Sequence, residues 1–298
     1  GKSRANRVHA HALFGVLAGS GAGQSDDAML GGRIDRQALR THQAGDPADP
    51  TILWLHGSGP GVSALSNWQA LMTTMPGYHH VAPDVLGFGD SSHPEDLPLG
   101  VADSAALRAR AMLQLLDVLD VPRAHLVGNS MGGMIALLLL QDQPERFDRA
   151  ILMGSAGEPT ADLIKMITYY DDPSPRAMLD LMGRFLHDPG RYGDDLNQIA
   201  ADRAEIAARG DIRRSHLRTF SPDGPLLVFD VETLTGIDHE VLLVHGREDR
   251  IIRKESSYYL ADLLPNAQLH VLPHAGHWVQ IEQVDRFPTA LEEGIHLG

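Results

Sequence analysis

Six short apolar runs constrain the fold more than any other feature of the chain. They are "TILWL" (51–55), "HVAP" (80–83), "HLVG" (125–128), "AILMG" (150–154), "VLLVH" (241–245) and "LHVL" (269–272). Each is bounded by Gly, Pro or Asp, as buried strands are where they enter loops. Helical patterns lie between them, at 104–119, 131–143 and 254–264. Alternation of this kind predicts an α/β protein with a mostly parallel central sheet and helices on both faces. Ahead of it, "GGRIDRQALRTHQAG" (31–45) reads as an antiparallel hairpin at the sheet's edge. The alternation lapses between about 156 and 224, where charges and helical stretches such as "PRAMLDLMGRFLH" and "DLNQIAADRAEIAARG" replace strand-like runs. We read this segment as a helical lid inserted before the last strands, over the sheet edge where ligands of open α/β sheets bind. The expected organisation is a core of 29–155 and 225–298, a lid of 156–224 and a mobile leader of 1–28. The leader's apolar run, Ala12–Ala18, is flanked by histidines and is short for a signal peptide.

Composition excludes several classes of function. With no cysteine, disulfides, Cys-ligated zinc and Cys nucleophiles are all absent. No apolar stretch approaches the ~20 residues that span a bilayer, so no membrane association is expected. A net charge of −14 disfavours nucleic acid as a partner. It also means that an anionic substrate needs a local Arg or Lys to overcome the background field.

The chemistry begins at "LVGNSMGG" (126–133). Ser130 stands in G-x-S-x-G between an expected strand and an expected helix, the setting in which a sharp turn exposes a serine nucleophile. A serine hydroxyl needs a base and a group that orients the base, in the chain order Ser, acid, His for this architecture. Asp249 follows the 241–245 strand and His277 follows the 269–272 strand. Glu248 and His274 compete for those roles; the turn directly after Asp249 and the freedom of Gly276 favour Asp249 and His277. The glycine-rich "LWLHGSGPG" (53–61) suits an oxyanion hole made by the amides of Ser58 and Met131. It lacks the Lys-Ser/Thr ending of a phosphate loop, and "HEVLLVH" (239–245) is not H-E-x-x-H. No cofactor and no metal are expected.

Taken together, "LHGSGPGVSALSNW" (55–68), "GNSMGG" (128–133), "HGREDRII" (245–252) and "GHWVQIE" (276–282) resemble the meta-cleavage product hydrolases of the α/β-hydrolase superfamily. The resemblance covers about 31–155 and 225–298, and implies the α/β-hydrolase fold. It implies a Ser130–Asp249–His277 triad and substrate contacts from Gly57, Gly59, Asn67, Asn129 and Trp278. In the lid, "ADRAEIAAR" (201–209) resembles the helix that brings an arginine to the substrate carboxylate, which points to Arg203, with Arg209 nearby. Leu65 departs from the tryptophan common at that position. The implied substrates are 2-hydroxy-6-oxo-hexa-2,4-dienoates, small anions cleaved at a carbon–carbon bond, with Arg203 and the asparagines at the anionic end. A cytoplasmic homo-oligomer is implied as well. A carboxylesterase or perhydrolase would use the same triad, and a ligand receptor could reuse the fold.

Overall fold

A computed structural model of the chain describes residues 25–29, 37–155 and 160–286. Eight strands form one sheet: β1 (Ser25–Met29), β2 (Ala38–Ala44), β3 (Thr51–Leu55), β4 (His79–Pro83), β5 (Ala124–Asn129), β6 (Phe147–Met153), β7 (Glu240–Gly246) and β8 (Ala267–Leu272). Their spatial order is β1-β2-β4-β3-β5-β6-β7-β8. The β1–β2 and β2–β4 pairs are antiparallel, and all other neighbours are parallel. The six apolar runs are β3 to β8, with ends shifted by a few residues. The edge hairpin is present, but its first strand pairs Ser25 with His42 and Met29 with Ala38. It therefore takes in residues 25–28, which the sequence assigned to the leader, because backbone pairing is not advertised by a segment as polar as "SDDAM". Residues 1–24 lie outside the described residues.

Period-two alternation is visible within the parallel strands, and both faces are apolar. Ile52, Trp54, Val127, Ile151, Met153 and Val244 join one core cluster, while Leu53, Leu55, Leu126, Leu152 and Leu243 join the other. Fully burying a side chain of this kind contributes about 1.5–3 kcal/mol. Helix α1 (Ala64–Met72) covers the first face through Trp68, and α2 (Val101–Val118) and α3 (Met131–Asp142) cover the second.

Among the described residues, the lid segment after β6 carries four α-helices: α4 (Ala161–Ile167), α5 (Pro175–Phe185), α6 (Gly193–Ala207) and α7 (Gly210–Thr219). Ser174 caps α5 by accepting from Ala177 N–H at 3.0 Å, with Pro175 at the first helical position. The buried face of α5 is Met178, Leu181, Met182 and Phe185, an i, i+3, i+4, i+7 stripe. On α6 the stripe is Leu196, Ile199, Ala200, Arg203, Ala204 and Ala207, so Arg203 occupies a core position. The remaining helices are α8 (Val231–Thr235), α9 (Glu255–Leu263) and α10 (Val279–Glu282). Among the described residues, no helix is long and apolar enough to cross a membrane.

Parallel pairing puts the C-terminal ends of β3 and β5 to β8 along one edge. Each residue singled out by sequence, apart from those on α1 and the lid, sits at that edge, on a loop or turn, at the end of β5 (Asn129) or at the start of α3 (Met131).

Candidate active site

Ser130 links the end of β5 to the start of α3 with φ 53° and ψ −117°, a region that side-chain-bearing residues rarely adopt. Two glycines make the turn possible. A Cβ on Gly132 would lie 2.0 Å from the Leu55 carbonyl oxygen, and one on Gly128 would lie 2.6 Å from the Gly132 backbone. The Ser130 turn is thus wedged against β3, with Ser130 N–H donating to Met153 O at 2.8 Å.

Asp249 and His277 meet, as the chain order predicts: His277 Nδ1 lies 2.8 Å from Asp249 Oδ2. The carboxylate is held at both oxygens. Oδ1 accepts from Ile251 N–H at 2.8 Å and Ile252 N–H at 3.0 Å, while His245 Nε2 lies 3.2 Å from Oδ2. Burial alone would push this carboxyl up. Attraction to His277 and hydrogen bonds from His245 and His277 outweigh burial and hold it well below the usual carboxylate range. Of the competing pair, Glu248 accepts from Ala275 N–H at 3.1 Å, and His274 is exposed on a residue with φ 59°. Both shape the His277 loop from outside. His277 Nε2 is buried and has no hydrogen-bond partner among the described residues, so the Ser130 hydroxyl is not bonded to it here. In unliganded enzymes such bonds are often long and close with substrate. The two residues nevertheless share neighbours. Asn129 donates to the His277 carbonyl at 3.5 Å, and a Cβ on Gly154 would lie 3.1 Å from the His277 ring.

The loop after β3 runs beside Ser130. A Cβ on Gly57 would be 3.3 Å from Ser130 Cβ and 2.8 Å from Asn129 Oδ1. Ser58 follows in that loop, and Met131, at the first position of α3, is buried. Two expectations need correction. The Asn129 amide group donates to Met153 O at 3.2 Å and to His277 O, which leaves buried Oδ1 unpartnered. That atom is an acceptor, suited to an O–H or water donor and not to an anion. Asn67 is also spent on protein: Oδ1 accepts from Gly57 N–H at 3.5 Å and Gln280 at 3.4 Å, and Nδ2 donates to Ser66 Oγ at 3.3 Å. It braces the loop.

Arg203 reaches the same place from the lid. Its Nε donates to Pro60 O at 2.8 Å, and a Cβ on Gly59 would lie 3.1 Å from Nη2. The guanidinium stacks 5.3 Å from the Trp278 ring, and Trp278 packs on Phe185 at 4.8 Å. Arg203 is only 8% exposed, and no carboxylate among the described residues pairs with it. Burial lowers its pKa to about 10, so it stays cationic at neutral pH. Gly59, Arg203, Trp278 and the α5 residues Met178, Met182 and Phe185 line a narrow cleft too tight to admit a water molecule. Arg209 is elsewhere, half-exposed and paired with Asp90 at 2.7 Å and Asp211 at 2.8 Å. A wider groove of about 340 Å³, lined by Leu99, Arg213, Arg214 and Arg218, shares no residue with the site.

Some residues at the site escaped sequence reasoning. Glu282, almost wholly buried, accepts from Gly276 N–H at 2.6 Å, His187 N–H at 2.9 Å and Asp188 N–H at 3.2 Å, so it ties the His277 loop to the lid residues just after α5. The approach is close: a Cβ on Gly276 would be 2.5 Å from Phe185 O. His245, near the end of β7, braces Asp249. Both residues lie inside quoted motifs, but only their long-range partners reveal a role.

The strand-borne serine turn and the Asp–His pair at one sheet edge define an α/β hydrolase. The family model described as the alpha/beta hydrolase family matches residues 52–288. The 2-hydroxymuconate semialdehyde hydrolase of Pseudomonas sp. strain CF600 is 36% identical over 271 residues, covering 87% of this chain and 92% of that one. The 2-hydroxy-6-oxo-2,4-heptadienoate hydrolase of Pseudomonas putida is 35% identical, covering 86% and 90%. Among solved structures, the 2-hydroxy-6-oxo-6-phenylhexa-2,4-dienoate hydrolase of Rhodococcus sp. strain RHA1 superposes with a TM-score of 0.82 at 32% identity, over 92% of this chain and 100% of that one. The chain belongs to the meta-cleavage product hydrolase family of α/β hydrolases.

Proposed function

We infer that the protein hydrolyses the C5–C6 bond of a 2-hydroxy-6-oxo-hexa-2,4-dienoate formed in aromatic catabolism, giving 2-hydroxypenta-2,4-dienoate and a carboxylic acid. The observation that carries this choice over a plain esterase is Arg203, a buried cation without a carboxylate partner beside the Gly59 loop. A substrate carboxylate supplies the missing charge.

The chemistry follows from the substrate. Cleaving C5–C6 requires an electron sink, so the dienol first ketonises: the 2-hydroxyl proton leaves and C5 gains one, with His277 as the shuttle. Asn129 Oδ1 is suited to accept from the 2-hydroxyl. Ser130 Oγ then attacks C6 while its proton passes to His277 Nε2. Asp249 orients the ring and stabilises the imidazolium. The amides of Ser58 and Met131 hold the C6 oxyanion. As C5–C6 breaks, its electron pair moves through C4 and C3 to the C2 ketone and leaves as the dienolate. Water activated by His277 releases the acid from Ser130. We place the enzyme in the cytoplasm as a homo-oligomer, as the family resemblance implies.

The test compares turnover of a dienoate, followed by loss of its visible absorbance, with that of p-nitrophenyl esters. Dienoate turnover is expected to dominate and to vanish in Ser130→Ala while dienoate binding survives. Esters cleaved far faster than dienoates would overturn the reading.

A further inference from the structure

The peptide joining Gly57 to Ser58 decides where Ser58 N–H points, and its carbonyl end is held from an unexpected side. The Gly57 carbonyl oxygen lies 2.7 Å from His56 Nδ1. Val85 N–H donates to His56 Nε2 at 2.8 Å, so Nε2 is an acceptor and the ring proton sits on Nδ1. The ring is fully buried, edge-on to Phe88 at 5.3 Å. Burial lowers its pKa and keeps it neutral. Nδ1–H therefore donates to Gly57 O. Across a trans peptide the C=O and the following N–H point in opposite directions, and no cis bond occurs among the described residues. Ser58 N–H is accordingly turned away from His56. At the other end of Gly57, its own N–H is held by Asn67 Oδ1, which Gln280 Nε2 braces in turn.

We propose that His56 is a positioning residue whose Nδ1–H, acting through the Gly57 carbonyl, aims Ser58 N–H at the oxyanion formed on attack by Ser130. Val85 sets the tautomer, and the tautomer sets the loop. The proposal rests on the oxyanion role given to Ser58 above. It differs from a packing role for His56 in a way that two substitutions separate. In His56→Asn the side-chain nitrogen takes the place of Nδ1 and keeps the donor to Gly57. In His56→Gln the side-chain oxygen takes the place of Nε2, keeping an acceptor for Val85 N–H and losing the donor to Gly57.

Each variant loses one hydrogen bond, so similar falls in Tm are expected. Kinetics should divide them. Since removing an oxyanion donor outright costs about 100- to 1,000-fold in kcat, misaiming one in His56→Gln is expected to cost about tenfold to 100-fold, with KM within threefold. His56→Asn is expected to stay within about fivefold of the native enzyme. Affinity for a boronic acid that forms a tetrahedral adduct on Ser130 should fall in the same order. Equal kinetic losses in the two variants, or none in His56→Gln, would overturn the proposal. A measurement on the native protein needs no variant: ¹⁵N shifts of His56 should report a neutral Nδ1–H tautomer from pH 6 to 8, and an Nε2–H tautomer or an imidazolium would refute it. Failure of the underlying nucleophile reading looks different, as full activity in Ser130→Ala.

Discussion

Arg203→Gln separates the carboxylate-binding role from a structural one, because the two predict opposite changes in stability. The glutamine amide can still donate to Pro60 O, as Arg203 Nε does at 2.8 Å, while the charge is removed. A unit charge about 4 Å from a substrate carboxylate, at an effective dielectric near 20, is worth about 4 kcal/mol. Stripping water from that carboxylate offsets part of this, leaving about 2–3 kcal/mol, or about 30- to 150-fold in kcat/KM for the dienoate. Neutral p-nitrophenyl esters carry no carboxylate, and their turnover should change less than threefold. Burial lowers Arg203 to about 10, which corresponds to about 3 kcal/mol of desolvation cost in the free protein. Removing the charge should therefore leave Tm unchanged or raise it. The assay follows dienoate decay and ester hydrolysis on the same preparation, beside a thermal melt. Equal losses on both substrates, or a large fall in Tm, would show that Arg203 builds the fold and does not recognise the carboxylate.

Strain at Ser130, with φ 53°, costs about 1–3 kcal/mol for a residue with a Cβ. Ser130→Gly should be more stable than Ser130→Ala in urea titrations, both being inactive; equal midpoints would argue against stored strain. Glu282→Gln sets an amide against the backbone donors of Gly276, His187 and Asp188. It should cost about 2–4 kcal/mol and lower kcat on all substrates, as read from denaturation and kinetics together. His216, buried on α7, is lowered to about 4, chiefly by burial. Below its unfolded value of about 6.5, the unfolded chain binds a proton that the folded chain refuses, so stability is lost as pH falls. About 2 kcal/mol should disappear between pH 7 and 5, and His216→Gln should flatten that slope. A variant with the native slope would exclude His216 as the source.

Most of the central sheet was legible because apolar runs of five or so residues between helical patterns leave few other packings. The edge hairpin was legible only in part, since "SDDAM" carries no strand pattern and its partner is fixed by backbone pairing. Arg203 shows a signal that was present and undervalued. It falls in register with Leu196, Ile199, Ala200, Ala204 and Ala207, and a charge within an apolar stripe is a stronger hint than its place in a motif.

The sequence by itself determined the order Ser130, Asp249, His277 and the turn that carries the serine, because both depend on local spacing: small residues at 128 and 132, and loops directly after strands. Tertiary structure decided what local spacing cannot. It brought Asp249 and not Glu248 to His277, buried Arg203 while committing Arg209 to Asp90 and Asp211, and turned the Asn129 oxygen out as an acceptor. These outcomes depend on which groups from distant segments are already satisfied. In "LVGNSMGG" the residue types stand in the sequence, but the free atom of each is settled only by neighbours from Met153, His277 and the Gly57 loop.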